Sequence, residues 1–117
     1  MPSSSRASSS KVLRTRTSTL WFVVAAGLAC ATAAHAAEHT VVMDGVKFEP
    51  ASLNVARGDT VVWINKDPFP HTVTAQGVFD SHEIAAAKSW KFTPRKPGVY
   101  EYVCTLHPGM KGTLTVK

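Results

Sequence analysis

From Thr40 onward, apolar and polar residues alternate in short runs that are typical of half-buried β-strands. Pairs and triplets that form turns, such as Asp44-Gly45, 57–59 and Pro97-Gly98, separate the runs. One segment, 82–88, resembles one or two turns of helix. About seven or eight short strands with frequent turns predict an all-β fold, an antiparallel sandwich. The strands are expected at 41–43, 46–48, 52–55, 60–64, 71–74, 89–92, 99–103 and 112–116.

The first 36 residues follow a different pattern. Residues 1–19 are rich in serine, basic and free of acids, and 20–34 form an uncharged run that is shorter than the roughly 20 residues of a membrane span. The run ends in Ala34-His35-Ala36, a small-x-small motif that signal peptidase accepts. We therefore predict a secretory signal peptide at 1–36, cleaved before Ala37, and one mature domain at 37–117, located in the periplasm without stable membrane insertion.

Cleavage changes the charge balance of the chain. Of the 13 lysines and arginines, four lie within residues 1–36, whereas all 8 acids lie in the mature part, which therefore has nine basic residues and a formal net charge of +1. The basic excess belongs to the targeting segment. Nucleic-acid binding thus has no support from the composition of the mature domain.

The two cysteines have different fates in this interpretation. Cys30 leaves with the signal peptide, and its alternative role as a lipidated residue is disfavoured because position 27, three residues before it, is a glycine instead of the leucine that is usual in a lipoprotein motif. Cys104 remains alone and cannot form an internal disulfide in an oxidising compartment. A domain of about 80 residues has a limited core, and a bound metal is one common source of extra stability.

The segment 100–112 combines several metal-binding side chains. Strand periodicity places Tyr100, Tyr102 and Cys104 on one interior face, after which Pro108 and Gly109 force a turn. The turn also includes His107 and Met110, so a thiolate, an imidazole and a thioether can surround one point. Soft sulfur ligands favour copper, and His71, which follows the rigid segment 68–70, is the candidate for the fourth ligand.

These residues carry a family resemblance. The segments 61–65, 70–73, 79–81, 97–104 and 107–112 resemble those of blue copper proteins of the plastocyanin/amicyanin group, with a short, amicyanin-like spacing from His107 to Met110. The resemblance spans roughly residues 41–117 and implies a Greek-key β-sandwich of the cupredoxin type. It also implies one copper ion, with His71, Cys104 and His107 as trigonal ligands and Met110 as a weak axial ligand.

Two residues depart from the family pattern. Thr72 replaces the asparagine that commonly follows the first histidine and braces the two ligand loops, so a different hydrogen bond is expected there. Gly109 replaces a bulkier residue and should flatten the loop surface. A separate feature is Ala37-Glu38-His39, because a free amine, two amides and a histidine at position three can form a square-planar Cu(II) or Ni(II) site.

The resemblance implies a monomeric electron carrier that is not an enzyme, because all four metal positions are filled by protein. Its redox-protein donor and acceptor are expected to dock near His107, on an uncharged surface formed by 68–70 with Pro108 and Gly109. An alternative function is copper sequestration or delivery with the same ligands. A fragment of a multicopper oxidase or nitrite reductase is disfavoured by the small size and the absence of further histidine clusters.

Overall fold

The computed structural model describes Gly27 and residues 35–117, and residues 33–117 belong to one compact unit. The predicted signal peptide, Cys30 included, lies almost entirely outside the described residues. Within the described part, the fold is all-β, as predicted, and contains two sheets. No helix in this part of the chain has the length and apolar character needed to cross a membrane.

Nine short strands make up the described domain, slightly more than the sequence predicted. They are β1 (Glu38–Met43), β2 (Phe48–Glu49), β3 (Ser52–Val55), β4 (Thr60–Asn65), β5 (Thr74–Ala75), β6 (Phe79–Asp80), β7 (Ser89–Phe92), β8 (Gly98–Val103) and β9 (Lys111–Val116). One sheet has the order β2-β1-β4-β7 and the other has the order β3-β9-β8-β5-β6. The chain passes between the two sheets several times, as expected for a sandwich with Greek-key connections.

Two strand pairs depart from the antiparallel arrangement expected of the sandwich. Strand β1 runs parallel to β4, and β3 runs parallel to β9. In each case the intervening chain crosses to other strands before the pair forms, so no tight hairpin dictates an antiparallel partner. Alternation of apolar residues indicates which face of a strand is buried, but it carries no information about the direction of the neighbouring strand.

The core between the sheets is rich in aromatic rings. Trp63 of β4 is fully buried, and its ring centroid lies 5.5 Å from that of Trp90 and 5.6 Å from that of Tyr102. The Tyr102 ring also lies directly over Gly112 of the paired strand β9, where a Cβ atom would overlap the ring carbons and the hydroxyl oxygen. The glycine therefore creates the space that the ring occupies.

The helical segment predicted at 82–88 does not form. Ile84 makes a β-bridge with His71, with reciprocal backbone hydrogen bonds of 3.1 and 2.7 Å. His82 and Ala87 have φ angles of 56° and 64°, which are incompatible with a right-handed helix. The tertiary contact with His71 thus outweighs the local preference of this alanine-rich segment for a helix.

Candidate metal centre

Three predicted ligands meet at one end of the sandwich. His71 precedes β5, Cys104 directly follows β8, and these two strands are neighbours through the pairing of Thr74 with Val103. His107 lies in the loop between β8 and β9. The sheet therefore brings His71 next to Cys104 despite their separation in sequence.

The donor atoms of these three residues form a nearly equilateral triangle. The two histidine Nδ1 atoms lie 3.1 Å apart, and each lies 3.6 Å from Cys104 Sγ. The centre of such a triangle is about 2.0 Å from each corner, close to the metal–nitrogen and metal–sulfur distances of about 2.0–2.3 Å in tetrahedral sites. One thiolate and two imidazoles at this spacing fit a single soft or borderline metal ion.

The contact with Asp67 determines which tautomer of the neutral His71 ring fits this site. Its Nε2 lies 2.7 Å from Asp67 Oδ2, and an ionised carboxylate can only accept a hydrogen bond. In the neutral imidazole Nε2 therefore carries the proton, and the lone pair of Nδ1 points towards the centre of the triangle. Sequence reasoning missed Asp67, although its position four residues before His71 was visible.

Asp67 itself is buried and held by two backbone amides. Gly45 N donates to Oδ1 at 2.7 Å and Val46 N donates to Oδ2 at 2.9 Å. Burial raises the pKa of this carboxyl, but the hydrogen bonds from the amides and from His71 outweigh that effect. The pKa of Asp67 consequently lies below its ordinary value, and the carboxylate is the form that His71 meets.

The loop from Cys104 to Met110 is closed by backbone hydrogen bonds. Cys104 N donates to Met110 O at 3.0 Å, and Met110 N donates to His107 O at 3.1 Å. Gly109 has a φ of 92°, a left-handed conformation that favours glycine and permits the turn after Pro108. The Met110 side chain is buried, 3% exposed, at the same end of the sandwich as the three donors.

Thr72 braces the two ligand loops in place of the family asparagine. Its Oγ1 accepts from Thr105 N at 2.9 Å and lies 3.1 Å from Thr105 Oγ1, next to Cys104. Its backbone N donates to Cys104 Sγ at 3.3 Å, an interaction that stabilises a thiolate. The cross-loop hydrogen bond expected of Thr72 is therefore present.

Exposure differs among the four predicted ligands. His71, Cys104 and Met110 are buried, at 0%, 2% and 3% exposure, whereas His107 is partly exposed. The Phe69 ring, 37% exposed, lies beside both imidazoles, with centroid distances of 5.3 Å to His71 and 5.2 Å to His107. Leu106, which precedes His107 in the ligand loop, is 42% exposed and is a further apolar surface residue that was not anticipated from the sequence.

The other two histidines of residues 37–117 lie outside this cluster. His82 is exposed, and its nearest ionic partner is Asp80 at 3.7 Å. His39 lies in β1 with Nε2 2.9 Å from Asp59 Oδ2. A square-planar site at residues 37–39 would have to displace this contact and the pairing of β1 with β4, and it stays a prediction.

Comparisons with known proteins agree with this geometry. A cupredoxin-like domain model matches residues 17–116. Amicyanin of Paracoccus denitrificans is 32% identical over 93 residues, which cover 73% of this chain and 71% of the relative. Plastocyanin of Scenedesmus fuscus is 34% identical over 88 residues, covering 60% and 86% respectively.

Solved structures give the same family. The Cu(I) form of an amicyanin variant matches with a TM-score of 0.65 and 31% identity, over 71% of this chain and 85% of that chain. A copper-containing nitrite reductase from Thermus scotoductus matches with a TM-score of 0.64 and 31% identity, over 68% of this chain but 22% of the reductase. The chain belongs to the cupredoxin family, as the motifs around His71 and Cys104 predicted.

Proposed function

We propose that the mature protein is an exported blue copper protein that transfers single electrons, with one copper ion held by His71, Cys104, His107 and Met110. The observation that supports this most directly is the triangle of two imidazole nitrogens and one thiolate sulfur with sides of 3.1, 3.6 and 3.6 Å. When bound, copper would supply a one-electron Cu(II)/Cu(I) couple.

The protein's own residues favour electron transfer over catalysis. The three donors of the triangle, with the buried Met110 side chain as the proposed fourth ligand, would fill the coordination positions of the metal and leave none for a substrate. The match to nitrite reductase covers 22% of that enzyme and gives no reason to assign its activity to this chain. Amicyanin and plastocyanin, which this chain matches over most of their length, support the role of a carrier.

Contacts within the protein also hold the donor set in place. Asp67 orients the His71 ring, the bridge to Ile84 fixes the His71 backbone, and Thr72 N hydrogen-bonds to Cys104 Sγ. Such second partners usually fix the orientation and basicity of metal ligands. Little movement of these side chains is then needed when an electron arrives or leaves.

The test of this function is a copper titration of the protein comprising residues 37–117, which contain all nine strands. Binding of one Cu(II) should produce intense visible absorption, and the loaded protein should exchange electrons with a redox partner while retaining its copper. A colourless complex would contradict the assignment. Rapid release of copper to an acceptor chelator, with slow electron exchange, would instead support the delivery function.

Met110 should tune the reduction potential. A thioether favours Cu(I), whereas an amide oxygen is a harder ligand, so Met110→Gln is expected to lower the potential. Voltammetry of the wild-type and variant proteins measures the change. Leu106→Gln, which introduces the same amide at an exposed position of the same loop, is the control and should shift the potential much less. An unchanged or higher potential in Met110→Gln would exclude Met110 as a ligand.

We place electron entry and exit at His107, where Phe69 and Leu106 form an uncharged surface around the most exposed of the four side chains. Weak redox complexes typically use interfaces smaller than about 1,200 Å², which suits a small patch of this kind. The exposure of Phe69, 37%, is consistent with a docking residue rather than with a side chain that only fills the core.

Phe69→Asp tests this docking surface. A carboxylate in the centre of the apolar patch is expected to slow bimolecular electron exchange by roughly tenfold, as for loss of an interface anchor. Lys111→Ala, which removes a charge in β9 beyond the ligand loop, is the control. Stopped-flow exchange rates and the visible band are measured together. If Phe69→Asp changes neither, the docking surface lies elsewhere on the molecule.

We also propose that residues 1–36 are removed on export to the periplasm and that the mature protein is a monomer. Among the described residues, Ala37 is the first whose backbone makes hydrogen bonds, its N to Asp59 and its O from Thr60. The bonded part of the chain thus begins where the Ala34-His35-Ala36 motif predicts cleavage. Intact mass of the exported protein, with its sedimentation behaviour, checks both statements.

A further inference from the structure

Asp59, at the end of the turn between β3 and β4, collects three hydrogen bonds on one carboxylate. Ala37 N donates to Oδ1 at 3.0 Å, Ala56 N donates to Oδ2 at 3.1 Å, and His39 Nε2 lies 2.9 Å from Oδ2. Asp59 is buried, with 8% of its surface exposed. A buried carboxylate far from the metal centre, with no part in electron transfer, calls for a separate explanation.

The position of Ala37 relative to this carboxylate is fixed by the fold. Thr60 N donates to Ala37 O at 2.9 Å, and the parallel pairing of Glu38 with Thr60 follows directly. The strand β1 therefore presents the nitrogen of residue 37 to Asp59 Oδ1. In the uncleaved chain this nitrogen is a neutral amide, but cleavage before Ala37 turns it into an α-ammonium group with a full charge and three donors.

We propose that Asp59 is the binding site for the α-ammonium group of Ala37, so that removal of residues 1–36 creates an ion pair that fastens strand β1 to the domain. The proposal rests on the cleavage position put forward above. The ligand class is a primary ammonium supplied by the chain itself. Processing then converts a hydrogen bond from a neutral amide, which the uncleaved chain already makes, into an ion pair.

The electrostatics of the site agree with this role. Hydrogen bonds from His39, Ala37 and Ala56 lower the pKa of Asp59 below its ordinary value, so the carboxylate is ionised at neutral pH. Among the described residues, His39 is the one basic side chain with a nitrogen within 4.0 Å of the carboxylate. The other charged residues of the surrounding elements include Glu38 and Lys91, which pair with each other at 3.6 Å, and Arg57 and Lys117. Arg95 and Lys96 follow Pro94, whose carbonyl accepts from Gly58 N at 2.8 Å.

The same contacts bear on the predicted Cu(II) or Ni(II) site at residues 37–39. A square-planar chelate needs the α-amine and the His39 imidazole, and both are held by Asp59. It also needs the backbone of Glu38 and His39, which pairs with Thr60 and Val61 in an extended conformation. Asp59 and β4 therefore compete with a metal ion for this segment.

The experiment measures the pKa of the Ala37 α-amino group by NMR titration of the protein comprising residues 37–117. An ordinary α-amino group has a pKa of about 7.7–8.0, and a nearby carboxylate should raise it by at least one unit, or about tenfold in the dissociation constant. Asp59→Asn should return the value to the ordinary range. Glu38→Gln removes a neighbouring acid without touching Ala37 N and should leave the raised value unchanged.

An ordinary pKa in the wild-type protein, or an equally raised one in Asp59→Asn, would overturn the proposal. Should Asp59→Asn not fold, N-acetylated wild-type protein gives the comparison without altering Asp59. If the α-amino pKa is higher in the folded than in the unfolded protein, the ion pair stabilises the fold fully at pH values below the pKa of the free amine. This stabilisation is lost as the pH rises through the α-amino pKa of the folded protein. The unmodified protein should therefore melt at a higher temperature than the acetylated protein at pH 7, with the gap closing in alkali. Equal melting temperatures at pH 7 would contradict the ion pair.

The visible spectrum separates this result from the proposed function. The metal centre is built from other residues, so copper-loaded wild-type and Asp59→Asn proteins should have the same absorption. Failure of the copper titration would contradict the proposed function but would not affect the result for the α-amino group. An ordinary α-amino pKa would contradict the ion pair but would not affect the proposed electron-transfer function. A mass showing cleavage at another position would refute the processing step in the cell, since the ammonium group would then not belong to Ala37.

Discussion

Copper-loaded Cys104→Ser protein is expected to be colourless. The intense visible absorption of a thiolate–copper site comes from charge transfer out of sulfur, and a hydroxyl oxygen cannot supply that transition. Serine has nearly the same shape as cysteine, and residue 104 is 2% exposed, so the fold should survive the change. The expected loss of the band is therefore close to complete, and electron exchange should cease with it.

The measurement compares visible spectra of wild-type and variant proteins after titration with Cu(II), with circular dichroism as a check of folding. Thr105→Ser is a matched control, because it alters the neighbouring residue while retaining the hydroxyl and the amide that contact Thr72. It should keep the band. A Cys104→Ser protein with the wild-type band would show that the thiolate is not a ligand.

Gly112→Ala is expected to destabilise the domain by about 3 kcal/mol, the upper range for an overpacked core. A Cβ atom at position 112 would overlap the Tyr102 ring, which is 1% exposed and packs edge-on against Trp63 and Phe48. The ring has no free space to move into. Since Tyr102 lies two residues before Cys104 on the same strand face, a displaced ring should also weaken copper binding.

Urea unfolding of wild-type and variant proteins gives the free-energy change. Gly77→Ala is the control, since a Cβ there meets nothing within 4 Å and the cost is limited to its left-handed backbone, about 1–2 kcal/mol. In a Tyr102→Leu background the penalty of Gly112→Ala should shrink, because the atoms that it overlaps are gone. An equal penalty in both backgrounds would mean that the Tyr102 ring is not the cause.

Much of this structure could be predicted from the sequence because local patterns determine it. Apolar alternation and turn pairs gave the all-β class, and the spacing from Cys104 to Met110 identified the ligand loop. The alternation could not specify strand direction, so the parallel pairs β1–β4 and β3–β9 were missed. The helical propensity of 82–88 was likewise outweighed by the bridge between Ile84 and His71.

The residues of the candidate site were likewise predicted only in part. The donor residues were visible because their chemistry is specific, whereas Asp67 was missed because a carboxylate next to a proline is typical of any polar loop. Its role appears only when the fold places it 2.7 Å from His71 Nε2. Leu106 was missed because a single apolar residue in a loop gives no indication of its exposure.

The Asp67 carboxylate joins the turn after β1 to the imidazole of His71, two segments that meet only in the folded chain. The amide hydrogens of Gly45 and Val46 are therefore exchangeable protons whose protection depends on the same carboxylate that orients His71. Deuterium uptake at these two amides should slow when a metal immobilises the His71 ring, although neither residue touches the metal. Amide exchange in the first turn of the domain therefore reports metal binding even when the metal centre has no visible absorption, as in the Cu(I) state.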